Sequence, residues 1–129
     1  MNSVPSISKE KIDLIKEKAK MSRLETIRLI SKAKSGHYGS SFSCAEIFAT
    51  LYYHVLRYDP KNPKWPSRDR FIMGKGHSAV GVYSILADVG FFPKEELDTY
   101  TDLGSAFGDH PDMNKIKGKQ FLLQMVVPI

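Results

Sequence analysis

Asp69-Arg70-Phe71-Ile72-Met73-Gly74-Lys75-Gly76-His77-Ser78 is the stretch around which the chain is organised. Phe71, Ile72 and Met73 form a short apolar run that suits a buried strand. Gly74 to His77 then reads as a sharp turn, and residues 79–89 as a helix. Two glycines around a lysine at such a strand–turn–helix place bare backbone N–H groups and a cation at a helix N-terminus, where an anion such as phosphate is well held. The stretch lacks the Lys-Ser/Thr pair of a Walker loop and does not fit Gly-x-Gly-x-x-Gly.

Working outward, Ser8 is placed to cap a first helix from residue 9 to about 34. Ile12, Ile15, Ala19, Leu24, Ile27 and Ile30 recur at helical steps as one apolar stripe, whose phase changes near Met21-Ser22 and predicts a break there. Gly36 ends this helix, with Lys32 and Lys34 in its last turn. Residues 35–41 read as a Gly/Ser-rich loop carrying His37. Ser43-Cys44-Ala45-Glu46 has the form of a capping box and predicts a second, well-buried helix to about Leu56. Pro60, Pro63 and Pro66 make residues 57–67 a rigid extended loop. Pro93, Glu95 and Glu96 start a short helix to about Leu103. Gly108-Asp109-His110-Pro111 lies in a loop, and the apolar residues 121–129 suit a strand.

The chain has 129 residues, one domain's worth. Its 42% hydrophobic and 26% charged residues are ordinary for a soluble globular protein. Nothing approaches the roughly 18 uninterrupted apolar residues of a membrane helix. The polar N-terminus has no secretory signal, and the single cysteine, Cys44, suits a reducing cytoplasm. Net charge is +5, with lysines interspersed among acids, which reads as a solvated mixed surface rather than a nucleic-acid patch. Membrane and nucleic-acid partners are not expected.

Three of the four histidines, His37, His77 and His110, sit in loops beside glycines, where a near-neutral pKa and two ring nitrogens suit proton transfer and oxyanion contact. His54, amid Tyr52, Tyr53 and Val55, reads as structural. No histidine pair has the close spacing of zinc ligands. Cys44, inside an apolar helix, reads as a small hydrophobe rather than a nucleophile or ligand.

Taken in order, Lys34-Ser35-Gly36-His37, the segment 56–66 (Leu-Arg-Tyr-Asp-Pro-Lys-Asn-Pro-Lys-Trp-Pro), Arg68-Asp69-Arg70-Phe71, Lys75-Gly76-His77 and Gly108-Asp109-His110-Pro111 resemble the N-terminal part of transketolase. The match runs from about Ser22 to Gly118, and its nearest form is the separate N-terminal subunit of a transketolase split between two chains. The resemblance implies an α/β fold: a helix-rich N-terminal portion of the thiamine-diphosphate-binding parallel-sheet domain, with its sheet incomplete. Residues 1–118 would form that partial domain, and 119–129 a divergent apolar tail.

The implied activity is transfer of a two-carbon ketol unit between sugar phosphates, with thiamine diphosphate and Mg²⁺ as cofactors. The implied partner is a C-terminal transketolase subunit or a second copy. By resemblance, His77 contacts the cofactor diphosphate, while His37 and His110 line the substrate channel as catalytic residues. Asp69 and Arg70 would anchor the entry to the strand. Lys75, the phosphate candidate on composition alone, lies where the family varies.

Two departures stand out. Tyr38 replaces the proline usual after the first Gly-His. Beyond Gly118 the glycine-rich cofactor segment and the magnesium-binding Gly-Asp-Gly give way to Lys119 and an apolar tail, so the family's metal ligands are absent. That predicts a truncated or frame-shifted coding sequence, which a transketolase-like continuation in another frame would bear out. Two rival readings are a non-catalytic remnant or interaction module, and a small basic nucleic-acid-binding protein. Dihydroxyacetone synthase, a related thiamine-diphosphate enzyme, shares the same motifs.

Overall fold

A computed structural model describes residues 6–112 and Lys115. Three helices carry the fold: α1 (Lys9–Ala33), α2 (Tyr38–Thr50) and α3 (Ala79–Asp88). A π-helical turn (Leu51–Val55) extends α2, and 3₁₀ turns stand at Gly76–Ser78 and Lys94–Thr99.

α3 is the centre. Its residues 79–87 are buried on every side, because the sequence Ala-Val-Gly-Val-Tyr-Ser-Ile-Leu-Ala has no polar face to offer water. α1 and α2 pack against it and against each other. At the meeting point is Gly81: a Cβ there would lie 3.2 Å from Ser41 Cβ of α2 and 3.4 Å from Phe48 Cε2. From α1, Ser22 Oγ donates to the Gly81 carbonyl at 3.0 Å.

This junction explains which face of α1 turns inward. Ile15, Ala19, Ser22, Thr26, Leu29 and Ile30 are buried, whereas Leu24 and Ile27 are 56% and 44% exposed. The expected apolar stripe is therefore corrected in its second half. The phase change near Met21-Ser22 is not a break, since α1 is continuous. Small Ser22 and Thr26 face the core because a close helix crossing needs them there, and the larger apolar residues are turned out. Ser8 caps α1 as expected, its Oγ accepting from Lys11 N at 3.2 Å. At the other end Lys34, not Gly36, takes the left-handed cap position (φ 54°), and its N–H donates to Ile30 O.

α2 begins six residues before the position a capping box at Ser43 would give it, with His37 as its N-cap. Ser43 Oγ instead donates back to Ser40 O at 3.0 Å, and Glu46 pairs with Arg23 of α1 rather than with the Ser43 backbone. The Ser-x-x-Glu pattern thus lies inside the helix, its hydroxyl spent on a carbonyl three residues behind.

Residues 57–67 are not extended. Asn62 N donates to Asp59 O, Trp65 N to Asn62 O and Arg68 N to Trp65 O, at 3.1, 3.0 and 3.2 Å. Pro60, Pro63 and Pro66 each take the second position of one of these three consecutive turns, where a fixed φ is already correct. Arg57 and Asp69 close the segment: the Arg57 side chain reaches both carboxylate oxygens at 3.1 and 2.8 Å, the Arg57 backbone N–H donates to Asp69 Oδ2 at 2.8 Å, and Asp69 N donates to Arg57 O at 2.8 Å.

Arg70 to Met73, expected as a strand, form no ladder. Met73 is buried at 4% and Ile72 is 51% exposed, so the alternation is present, but no described segment lies alongside to supply partners. Phe71 packs edge-on against Phe48 and Tyr52. The apolar segment 121–129 and the boundary at 118 lie outside the described residues. Pro93 precedes a 3₁₀ turn that ends at Thr99, shorter than the helix to Leu103 expected there.

Two predictions follow from this packing. Gly81→Val forces side-chain atoms into Ser41 and Phe48, and lowers stability by about 2 kcal/mol. A fall in the urea midpoint at constant m reads it out, and an unchanged midpoint would refute the close crossing. Separately, the Arg57 guanidinium and backbone N–H hold the Asp69 carboxyl down to about 2 from its ordinary 3.8. That contribution is present above the unfolded value and fades as pH falls from about 4 towards 2. Asp69→Asn loses it, so wild type and variant converge in melting temperature across that window, and high salt narrows the gap at neutral pH because the pair is exposed.

Candidate functional site

The turn after Met73 sits on the N-terminal end of α2. Ser40 Oγ donates to the His77 carbonyl at 2.9 Å, and Ser78 Oγ donates to the Ser40 carbonyl at 3.0 Å. Lys75 closes the same seam, its Nζ donating to Ser43 Oγ at 2.8 Å and Ser40 O at 3.3 Å, with Cys44 Sγ at 3.8 Å. The lysine ammonium, a phosphate candidate from sequence, is therefore spent on protein partners. Its work is to lock the His77 turn against α2. Cys44 is half-buried between Lys75 and Ser78.

Locking these two segments brings His37 and His77 together. Their rings meet edge to face, with centroids 5.4 Å apart. Gly36 makes the approach possible. At φ 138° it holds a backbone that favours glycine, and a Cβ would lie 2.7 Å from Ile30 Cγ1 and 3.0 Å from Tyr100 Oη. His37 then serves as N-cap of α2 without a side-chain cap bond, so its ring is left for other contacts.

One such contact comes from the loop after the last 3₁₀ turn. Asp109 Oδ2 lies 3.2 Å from His37 Nε2, and Tyr100 Oη donates to Asp109 Oδ1 at 3.0 Å. Tyr83 of α3 fixes the loop itself by donating to Gly108 O at 3.0 Å. Tyr100 is buried, and burial together with its bond to Asp109 raises its pKa above the ordinary tyrosine value. Its hydroxyl is therefore a standing donor. Sequence reasoning quoted Asp109 within a motif but gave it no role. The pair joins positions far apart in the chain, and no local spacing announces it.

His110 follows Asp109 directly and has an exposed side chain. Among the described residues the His37 and His77 rings and the Asp109 carboxylate form one cluster, and His110 stands next to it along the chain. His54 is exposed on the π-helical turn, away from this cluster in sequence. An open cavity of about 1220 Å³, floored by Phe91, Phe92 and Phe107, shares Gly108 and Asp109 with the cluster but none of the histidines.

The donor set suits an anion. The His77 ring is half-buried, and among the described residues its nitrogens have no hydrogen-bond partner. An imidazole N–H held at a rigid turn is a fitting donor to a diphosphate oxygen. No group of three His, Cys, Asp or Glu side chains is gathered for a metal ion among the described residues.

Comparison with known proteins gives this geometry a family. A subunit of 6-deoxy-6-sulfo-D-fructose transketolase, SqwG, from Clostridium sp. (strain MSTE9) is 40% identical over 112 residues, covering 87% of this chain and 40% of the subunit. Transketolase from Homo sapiens is 35% identical over 111 residues, covering 86% of this chain and 18% of that protein. The solved structure of Pichia stipitis transketolase in complex with sedoheptulose 7-phosphate superposes with a TM-score of 0.68 at 30% identity, over 82% of this chain and 16% of that one. The chain thus spans less than half the length of these relatives. The family pattern described as "Transketolase, thiamine diphosphate binding domain" matches residues 15–121, most of the chain, and the chain belongs to that family.

Proposed function

We propose that this chain forms the cofactor-diphosphate face of a transketolase-type enzyme that moves a two-carbon ketol unit between sugar phosphates. The observation that carries the reading is the His37–His77 pair, set at one seam by Ser40, Ser78 and Lys75 in a chain of this family. His77 would donate to the diphosphate of thiamine diphosphate. His37 and His110 would act on the hydroxyls of a ketose, taking up and returning protons as the carbon–carbon bond is exchanged. When bound, thiamine diphosphate supplies the electron sink that this bond exchange requires.

The remainder of the site would come from a C-terminal transketolase subunit or a second copy, in line with the relatives named as subunits. Mg²⁺ would be held by residues outside those the family shares with 1–118. The central sheet would likewise be completed beside residues 70–73, whose exposed Ile72 and backbone, without a strand partner among the described residues, would accept a neighbouring strand. The half-buried thiol of Cys44 suits a reducing cytoplasm.

A second reading, a non-catalytic module that docks on a full subunit, is favoured by Leu24, Ile27 and Ile47, large apolar side chains turned outward on α1 and α2. Calorimetric titration with thiamine diphosphate and magnesium, with and without a C-terminal subunit, separates the two. Saturable, magnesium-dependent binding supports the enzyme, and its absence in both arms supports the module. In the binding case His77→Ala weakens thiamine diphosphate affinity roughly tenfold to a hundredfold, the range of a hydrogen bond to a charged group. An unchanged Kd removes His77 from the diphosphate contact.

A further inference from the structure

We infer that the segment following Lys115 docks on its own chain: Phe121, Leu122 and Leu123 fill the open cavity over Phe91, Phe92 and Phe107, and Lys117 and Lys119 face its acidic rim.

The cavity calls for an apolar occupant. Its floor is aromatic, and Leu103 at its rim is fully exposed. The leucine is held out by a closed loop. Thr101 N donates to Phe107 O at 2.8 Å, which joins the two ends of residues 101–107. Asp102 N donates to Thr99 O at 2.9 Å and Ser105 N to Asp102 O at 3.0 Å. Ser105 Oγ lies 2.8 Å from Thr99 Oγ1 and accepts from Phe107 N at 3.0 Å. Within this loop Thr101 has φ 62°, a left-handed backbone that a β-branched residue rarely adopts. Such strain persists only where the surroundings over-determine it, and here it fixes a large apolar side chain in the open.

Size and charge narrow the occupant to a peptide segment. At about 1220 Å³ the cavity exceeds the roughly 300–1,000 Å³ of a small-molecule site. In a chain of net charge +5 its rim carries Glu96 and Asp102, exposed carboxylates with no ion pair among the described residues. A fitting occupant joins lysines to large apolar side chains. Residues 116–125, Ile-Lys-Gly-Lys-Gln-Phe-Leu-Leu-Gln-Met, have that composition.

Position favours this segment over a separate partner. Lys115 itself lines the cavity, so the segment starts at the rim. At about 3.3 Å per extended residue, Ile116 to Phe121 span up to about 20 Å. Attachment also raises the effective concentration of the occupant far above that of a free peptide. Because the cavity shares Gly108 and Asp109 with the histidine cluster, the docked segment closes that side of it.

The test is a nuclear Overhauser spectrum of the unsubstituted full chain with labelled methyl groups. The expected result is contact between the Leu122 and Leu123 methyl protons and the ring protons of Phe91, Phe92 or Phe107, and with the Leu103 methyls. A mixture of labelled and unlabelled chain is expected to show no such contact between molecules. Leu103 is fully exposed, so Leu103→Ser leaves the core intact. It lowers the docked-to-free ratio roughly tenfold, the effect of uncovering one leucine side chain. Lys117→Glu combined with Lys119→Glu lowers the same ratio at low salt, and added salt narrows its difference from wild type.

Absence of these contacts in the unsubstituted chain overturns the inference without any variant. Contacts between molecules overturn it too, and make a second copy the occupant. Contacts that keep full intensity in both variants, each with native circular dichroism, show that neither Leu103 nor the rim carboxylates hold the segment, and also overturn it. Thiamine diphosphate binding tests the proposed function separately, and its failure leaves this docking standing.

Discussion

The close approach of three helices at Gly81 is the constraint on which the remaining structure depends. With no side chain there, α2 comes down on α3 through Ser41 and Phe48, and α1 reaches the same carbonyl through Ser22. The interaxial space left by one missing Cβ decides that small hydroxyl residues, rather than Leu24 and Ile27, form the inner face of α1. Thr26 Oγ1 on α1 and Ser41 Oγ on α2 are buried without a hydrogen-bond partner among the described residues. They are retained for their size, at an energetic cost that the close crossing offsets.

The histidine seam is a secondary product of that packing. α2 and α3 both begin at the same end of the junction, so the loops leading into them, with His37 and His77, must meet. Ser40, Ser78 and Lys75 then convert proximity into register, binding backbone to backbone through side chains. The aromatic residues beyond α3 do the same for the third loop. Tyr83 packs edge-on against Tyr100 and Phe107, Phe92 lies tilted against Phe107, and the two tyrosine hydroxyls fix Gly108 and Asp109. The three loops that carry the clustered side chains are thus held by groups outside the cluster.

Much of the helical frame was legible in the sequence because its signals are local. The Ser8 cap, the end of the first helix near Lys34 and the all-apolar run of α3 are read from residues a turn apart. What failed depended on partners distant in the chain. Leu24 and Ile27 look as buried as Ile15 until the Gly81 crossing is known. Ser43 and Glu46 satisfy a capping pattern, but α1 supplies Arg23 to draw the glutamate away. Residues 70–73 have the alternation of a strand, yet a strand is a relation between two segments, and the described residues contain one. In the site, glycine-flanked histidines were visible one by one, whereas the approach of Asp109 to His37 was not, because nothing in either motif refers to the other.

The turn ladder at 59–68 bears on how the chain meets a protease. It contains Lys61, Lys64 and Arg68, three cleavage positions for a trypsin-like enzyme, on a surface loop of the kind usually nicked first. Such an enzyme must draw its substrate out as an extended strand. Here every third residue is a proline already committed to a turn, and the two ends are clasped by Arg57 and Asp69. Straightening the segment means opening all three turns and the clasp together, so a loop rich in basic residues is one of the less digestible parts of the surface.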